Sequence, residues 1–357
     1  MTRLAHAALL LVALAQASCG DTMAAVAGPG KRSYRMGFAA VGPRPEVQSI
    51  LDAVNLWTPR ADIALVQMDV PWVALLADTG AALLVARDQL PLANLYRERS
   101  LPLLVMVEPA NGLARDRESD ALVALGRSIA EPAVQAAYQR YVLALDSLLH
   151  PEYLGLALET NLIREAAPAR VYDALHTMLG ATATALRARH TGARLLVSVQ
   201  VDVAWGRLPP ANGYRGIARD LADFPFLDVV GLSAYPYLAG FAAPEDVPAD
   251  YYARIEAESR KGVLVTEGGW SSASVPGSES SPEEQARWIA RQMQLADSAR
   301  ALAVLQIPFT DLDMSAWGGA TAESQTLALF SHLGLVDTQL RPKPALAVWD
   351  SVFKRPR

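Results

Sequence analysis

Residues 262–270 read GVLVTEGGW: an apolar run that stops abruptly at a carboxylate, Glu267, followed by two glycines and Trp270. Such a run is apolar throughout rather than alternating, the pattern of a parallel strand covered on both faces. Seven other segments share it: 33–41 (SYRMGFAAV), 61–69 (ADIALVQMD), 101–108 (LPLLVMVE), 153–159 (YLGLALE), 193–201 (ARLLVSVQV), 227–236 (LDVVGLSAYP) and 301–309 (ALAVLQIPF). Their starts fall 28 to 52 residues apart, enough for the crossover that each βαβ unit needs. Eight strands so spaced predict a (β/α)8 TIM barrel, a single domain of the α/β class. An open doubly wound sheet would place a glycine-rich phosphate loop after the first strand, and Ala39-Ala40-Val41-Gly42-Pro43 is not one.

The segments between the strands read as amphipathic helices. In 133–149, Val134, Tyr138, Tyr141, Val142, Leu145 and Leu148 recur at three- and four-residue steps, one apolar stripe. Ser281-Pro282-Glu283-Glu284 is a helix start with a capping residue and proline at the first position. A chain of 357 residues, 52% apolar, can fill one large barrel core. A net charge of −5 without basic runs argues against nucleic acid as a partner. The five histidines show no ligand spacing, so neither a metal site nor a cofactor is expected. A monomer is expected.

The first eighteen residues read as a signal peptide. Arg3 precedes a nearly unbroken apolar stretch from Leu4 to Ala15, too short to span a bilayer core. Ala15-Gln16-Ala17 is a cleavage site that would release a soluble protein, whereas Ala17-Ser18-Cys19 resembles a bacterial lipobox. Cys19 is the only cysteine, so it has no disulfide partner, and its position favours a lipidated N-terminus. On that reading the membrane is reached only through a lipid anchor. The protein is exported either way, as a periplasmic or surface lipoprotein or as a secreted protein. Residues 19–32 read as a flexible tether, leaving 33–357 as the functional domain.

Barrel active sites form where the strands end. The polar residues there are Asp69, Glu108, Glu159, Gln200 with Asp202, Ser233 with Tyr235, Glu267, and Thr310 with Asp311. Lysine is missing from this ring, which removes Schiff-base chemistry, and no Ser–His pairing is suggested. Carboxylate chemistry remains. Glycosidic cleavage needs two carboxyl groups facing across the scissile bond, one protonated and one ionised. The fourth and seventh strands lie nearly opposite each other in an eight-stranded barrel, so Glu159 and Glu267 can enter one cleft from two sides. Asn161 stands near enough to bond a sugar hydroxyl. Trp270, Trp205 and Trp317 are aromatic candidates for sugar stacking, and Glu108 for lining the cleft or pairing with Arg44 or Arg164.

Leu264-Val265-Thr266-Glu267-Gly268-Gly269-Trp270 resembles the nucleophile strand of the family 53 endo-β-1,4-galactanases and, more loosely, that of the family 17 β-1,3-glucanases. Residues 228–237, DVVGLSAYPY, are similar to the sixth strand of family 53. The tail Gly334-Leu335-Val336-Asp337 with Arg341-Pro342-Lys343-Pro344 resembles the end of such barrels. The layout is that of the clan-A glycoside hydrolases. The resemblance implies that Glu159 is the acid/base, Glu267 the nucleophile, and that Tyr235 orients it. It departs at Leu158, where the clan has an asparagine that binds the sugar 2-hydroxyl, and after the second strand, where Asp69-Val70-Pro71-Trp72 replaces an arginine.

The expected activity is retaining hydrolysis of an oligo- or polysaccharide, with carboxyl groups roughly 5–5.5 Å apart and the raised pKa on Glu159. Two alternatives stay open. One is a non-catalytic carbohydrate-binding barrel on the cell surface. The other is a structural lipoprotein whose glutamates are held apart or tied into salt bridges.

Overall fold

The computed structural model describes residues 30–209, 213–317 and 322–357. The leader, Cys19 and nearly all of the tether lie outside these residues. The strands are β1 (Arg35–Ala39), β2 (Ile63–Asp69), β3 (Leu103–Glu108), β4 (Tyr153–Gly155), β5 (Arg194–Leu196), β6 (Ser198–Gln200), β7 (Val229–Ala234), β8 (Gly262–Gly268) and β9 (Ala303–Gln306). Their order is β5-β4-β3-β2-β1-β9-β8-β7-β6, and every pairing is parallel.

Each of the eight apolar runs supplies one barrel stave. Nine segments appear because the fifth run breaks at Val197, its first half pairing β4 and its second pairing β7. Pairing nonetheless continues past the break. Asp228 N–H donates to Leu195 O at 2.9 Å and Gly231 N–H to Val197 O at 3.0 Å. The sheet therefore returns on itself as a TIM barrel.

Two apolar layers follow from this closure. Inside lies a plug that includes Ile63, Leu65, Leu104, Leu158, Leu196 and Leu264. Outside, a larger layer packs between strands and helices. The helix Pro132–Leu149 buries Val134, Tyr138, Tyr141, Val142 and Leu145, and Tyr138 donates its hydroxyl to the Leu156 carbonyl just past β4. Helix Pro282–Ser298 starts with Ser281 Oγ accepting from Glu284 N–H at 3.2 Å and buries Trp288, Ile289 and Met293. Trp57 and Trp349 are core as well. No described helix is long and apolar enough to cross a membrane.

The plug fills only the lower barrel. Along β2, Ile63 and Leu65 face inward and are buried, while Gln67 and Asp69, two and four residues on and so on the same face, are exposed. The interior opens to solvent where the strands end.

Candidate active site

Two local departures from regular strand aim the carboxylates. On β8, Leu264 belongs to the inner plug and Val265 to the outer layer. Alternation would therefore send Thr266 inward and Glu267 out among the helices. Instead the register slips by one residue: Leu232 pairs with Val265 but Ser233 pairs with Glu267. A bulge of this kind re-aims a side chain at a strand end, and it sets Glu267 beside Ser233. On the opposite wall Leu158 is in the plug, and Glu159 takes φ 48°, ψ 45°. That left-handed conformation costs a side-chain-bearing residue about 1–2 kcal/mol. It is held by Glu159 N–H donating to Ser198 Oγ at 2.9 Å, and it breaks the alternation that would have hidden the carboxylate.

Ser233 stands between the two acids. Its hydroxyl donates to Glu159 Oε1 at 2.6 Å, and its backbone is the register partner of Glu267. Arg115, from the loop after β3, completes the group. Its Nε donates to Glu159 Oε2 at 2.9 Å, and its Nη1 to Glu108 Oε2 and to the Asn111 carbonyl at 3.2 Å. Glu108 Oε1 accepts from Ala110 N–H at 2.8 Å. Glu108, Glu159 and Glu267 are 2%, 8% and 7% exposed, so each charge depends on its partners.

Burial, then the charge of Glu159, pushes the Glu267 carboxyl up to about 7, against the opposing pull of Arg115 and Ser233. Both oxygens of Glu159, the expected acid, are tied to donors. Burial raises Glu108 too, although Arg115 counters it. Burial disfavours the charge on Arg115, but Glu108, Glu159 and Glu267 outweigh that and hold the guanidinium firmly protonated. Asp69 is accessible yet lies in the concavity, and the surrounding protein raises its carboxyl, with Arg115 opposing. Tyr235 is half-buried; burial first, then the charges of Glu267 and Glu159, raise its hydroxyl well above 10.

Other expected site residues are used differently. Asn161 does not face the cleft with its amide free. Its Nδ2 donates to Gln200 O at 2.9 Å and its Oδ1 accepts from Gln200 N–H at 2.7 Å, clasping the end of β6. Trp270 is no platform: it is 0% exposed, packed between Trp288 and Tyr237, with its N–H on Ser280 Oγ. Trp205 is stacked on Tyr251 and edged by Tyr214, so its faces are occupied. Trp317 is half-buried with its N–H on Pro43 O. Glu108 pairs with Arg115 rather than with Arg44 or Arg164, whose partners include Asp313 and Asp220. Asp202 turns to Tyr251, and Asp311 to Lys343. Arg115 was missed. A glutamate ending a buried strand demands a cation, and Arg115, seven residues beyond Glu108, was the signal that could have found it.

A cavity of about 500 Å3 is lined by Asn161, Arg164, Glu165, Val203, Arg215, Gly216 and Arg219, and neither Glu159 nor Glu267 is among them. The candidate site is therefore defined by its carboxylates and not by this cavity. Among the described residues no cluster of metal-ligating side chains occurs.

No protein-family model matches the chain, and no curated protein matches it in sequence. Solved structures do. An exo-beta-1,4-mannosidase from an Opitutaceae bacterium is similar with TM-score 0.66 and 16% identity, over 90% of this chain and 59% of that one. A GH5_18 protein from Bifidobacterium longum, solved with Manb1-4GlcNAc, gives 0.62 and 17% over 90% and 78%. The beta-D-glucuronidase of Dictyoglomus thermophilum gives 0.61 and 12% over 92% and 51%. The shared fold is that of glycoside hydrolase barrels. The chain spans about six-tenths of the mannosidase and half of the glucuronidase.

Proposed function

We propose that the chain is a glycoside hydrolase that cleaves an O-glycosidic bond of an oligo- or polysaccharide with retention. The observation that supports this best is a single hydroxyl, Ser233, flanked by two carboxylates from opposite walls of the barrel mouth. A shared neighbour of this kind brings the carboxyls close together, which favours the roughly 5–5.5 Å separation of retaining enzymes over the roughly 6.5–9.5 Å of inverting ones. In the first step Glu267, ionised, attacks the anomeric carbon while Glu159 gives its proton to the leaving oxygen. In the second, Glu159 takes a proton from water, which displaces Glu267 from the sugar.

Four carboxylates, Asp69, Glu108, Glu159 and Glu267, cluster at the strand ends around one guanidinium. A uronate would meet repulsion there, so a neutral sugar such as a mannoside or galactoside fits better than a glucuronide. The clan-A layout and the family 53 motifs make galactan the first polymer to try. Action beyond the cytoplasmic membrane, with or without lipid at Cys19, is part of this reading.

The test uses aryl glycosides. Glu267→Ala is expected to lose turnover by roughly 10³-fold or more, and added azide to restore it with inverted glycosyl azide as product; Glu159→Ala should lose roughly 10²–10⁴-fold and yield the retained azide. Unchanged hydrolysis in either variant would end the assignment. The ion pair of Glu159 with Arg115, and Leu158 in place of asparagine, favour a second reading as a non-catalytic carbohydrate-binding barrel. Glycan binding by the wild-type protein with no reducing sugar released would support that one.

A further inference from the structure

Both oxygens of Glu159 accept hydrogen bonds, from Ser233 at Oε1 and from Arg115 at Oε2. An oxygen that accepts from a guanidinium cannot also carry an acidic proton toward a leaving group. Arg115 divides its donors, however. Nη1 belongs to Glu108 and the Asn111 carbonyl, and Nε alone belongs to Glu159. Glu108 is built to keep its share, being buried and already fixed by Ala110 N–H. The loop itself is fastened across the mouth, where Asn111 donates to Glu323 at 3.0 Å and Arg117 lies 3.7 Å from it. Among the described contacts of this guanidinium, the Nε bond is the one made to neither its own loop nor its dock, Glu108.

Resting on the hydrolase reading, we propose that Arg115 is a positioning residue that bound substrate displaces from Glu159. The guanidinium stays docked on Glu108, so that sugar binding arms the acid. The proton balance closes within the pair. The Glu267 carboxyl gives its proton to Ser233 Oγ as Ser233 gives its own to Glu159. The products are an ionised Glu267, ready to attack, and a protonated Glu159, with no net proton taken up. While Arg115 holds Glu159, the proton stays on Glu267 and the site is idle. Glu108 is thereby a dock rather than a substrate contact, which explains a carboxylate fully spent on one arginine and one backbone amide.

The charged and titratable groups facing the pair are Asp69, Glu108, Arg115 and Tyr235, with Glu323 acting through Asp69. The signs follow. Removing the cation lets the shared proton bind more tightly, and removing Glu108 does the reverse. The experiment is the pH profile of kcat/KM on an aryl glycoside for the wild type and three variants, each checked by thermal melting. Arg115→Gln should move the alkaline limb upward by about one pH unit and lower KM. Glu108→Gln should move the limb downward by a similar amount, with lower kcat. Arg115→Lys, which keeps the charge, should leave the limb near its wild-type position. A general loss of packing cannot give shifts of opposite sign. Limbs that stay put, or move the same way, overturn the inference. Should Arg115→Gln not fold, Glu108→Gln decides alone: its limb moves toward acid or the inference falls. A wild type that turns over no glycoside overturns the hydrolase reading and this inference with it, whereas turnover with unmoved limbs overturns this inference only.

Discussion

Glu267 is a residue whose value to the site is a cost to the fold. Its carboxyl is raised from 4.5 to about 7, chiefly by burial. The folded protein therefore binds that proton more tightly than the unfolded chain. Stability from this group is complete below about pH 4.5 and is lost as pH rises through 7, where a buried charge must be tolerated. A shift of that size corresponds to something on the order of 3 kcal/mol. Glu267→Gln removes the ionisation and leaves the packing. Urea unfolding should therefore find the variant equal to wild type near pH 4 and more stable by about 3 kcal/mol near pH 8. A variant less stable at both pH values would mean that Glu267 is held by bonds that outweigh its desolvation. Asp223 and Asp337 are shifted the other way by their partners, so their charge adds to stability where that of Glu267 subtracts.

At the scale of elements, the seam between the helix Thr160–Ala166 and β6 depends on Asn161. Its amide satisfies both backbone groups of Gln200 in a fully buried position. Leaving a buried donor and acceptor unpaired costs roughly 1–3 kcal/mol. Asn161→Ala should lower the unfolding free energy by about 2 kcal/mol, with kcat falling through displacement of Glu159 two residues away and KM little changed. A large rise in KM at unchanged stability would restore the sugar-contact role. This case also shows what a sequence can and cannot disclose. Continuous apolar runs and their spacing made the barrel legible, because burial on both faces leaves a compositional trace. The ends of the same runs disclosed Glu159, Glu267, Ser233 and Tyr235. The bulge at Thr266 and the left-handed turn at Glu159 left no trace, since each depends on register with a neighbouring strand. Trp270 was misread for a similar reason. A tryptophan after two glycines suits a cleft, but Trp288, on a helix that begins twelve residues later, captures it in the core. Arg115 stayed hidden because a loop cation declares its partner only once β3 and β4 are side by side.

For the whole molecule, the decisive geometry is the opposition of its two ends. The chain enters at the base of the barrel. Arg32 N–H donates to Pro356 O at 2.9 Å, and its guanidinium bonds Asp62 at 2.6 Å and the Tyr34 carbonyl at 2.7 Å. β1 begins three residues later, and the candidate site lies at the other ends of the strands, about 20 Å away along a seven-residue strand such as β2. This clasp holds Arg32 and the start of β1 at the end of the barrel opposite the mouth. On the proposed lipoprotein reading of Cys19, the anchor would join the barrel at Arg32, opposite the mouth, which predicts that the bilayer does not obstruct the site. Lipidated protein on vesicles and a form lacking residues 1–29 should accordingly share one kcat/KM on a soluble glycan, within about twofold. An anchored form slower by tenfold, with activity recovered on proteolytic release, would show that the mouth turns toward the lipid, and that the clasp at Arg32 does not set the orientation of the barrel.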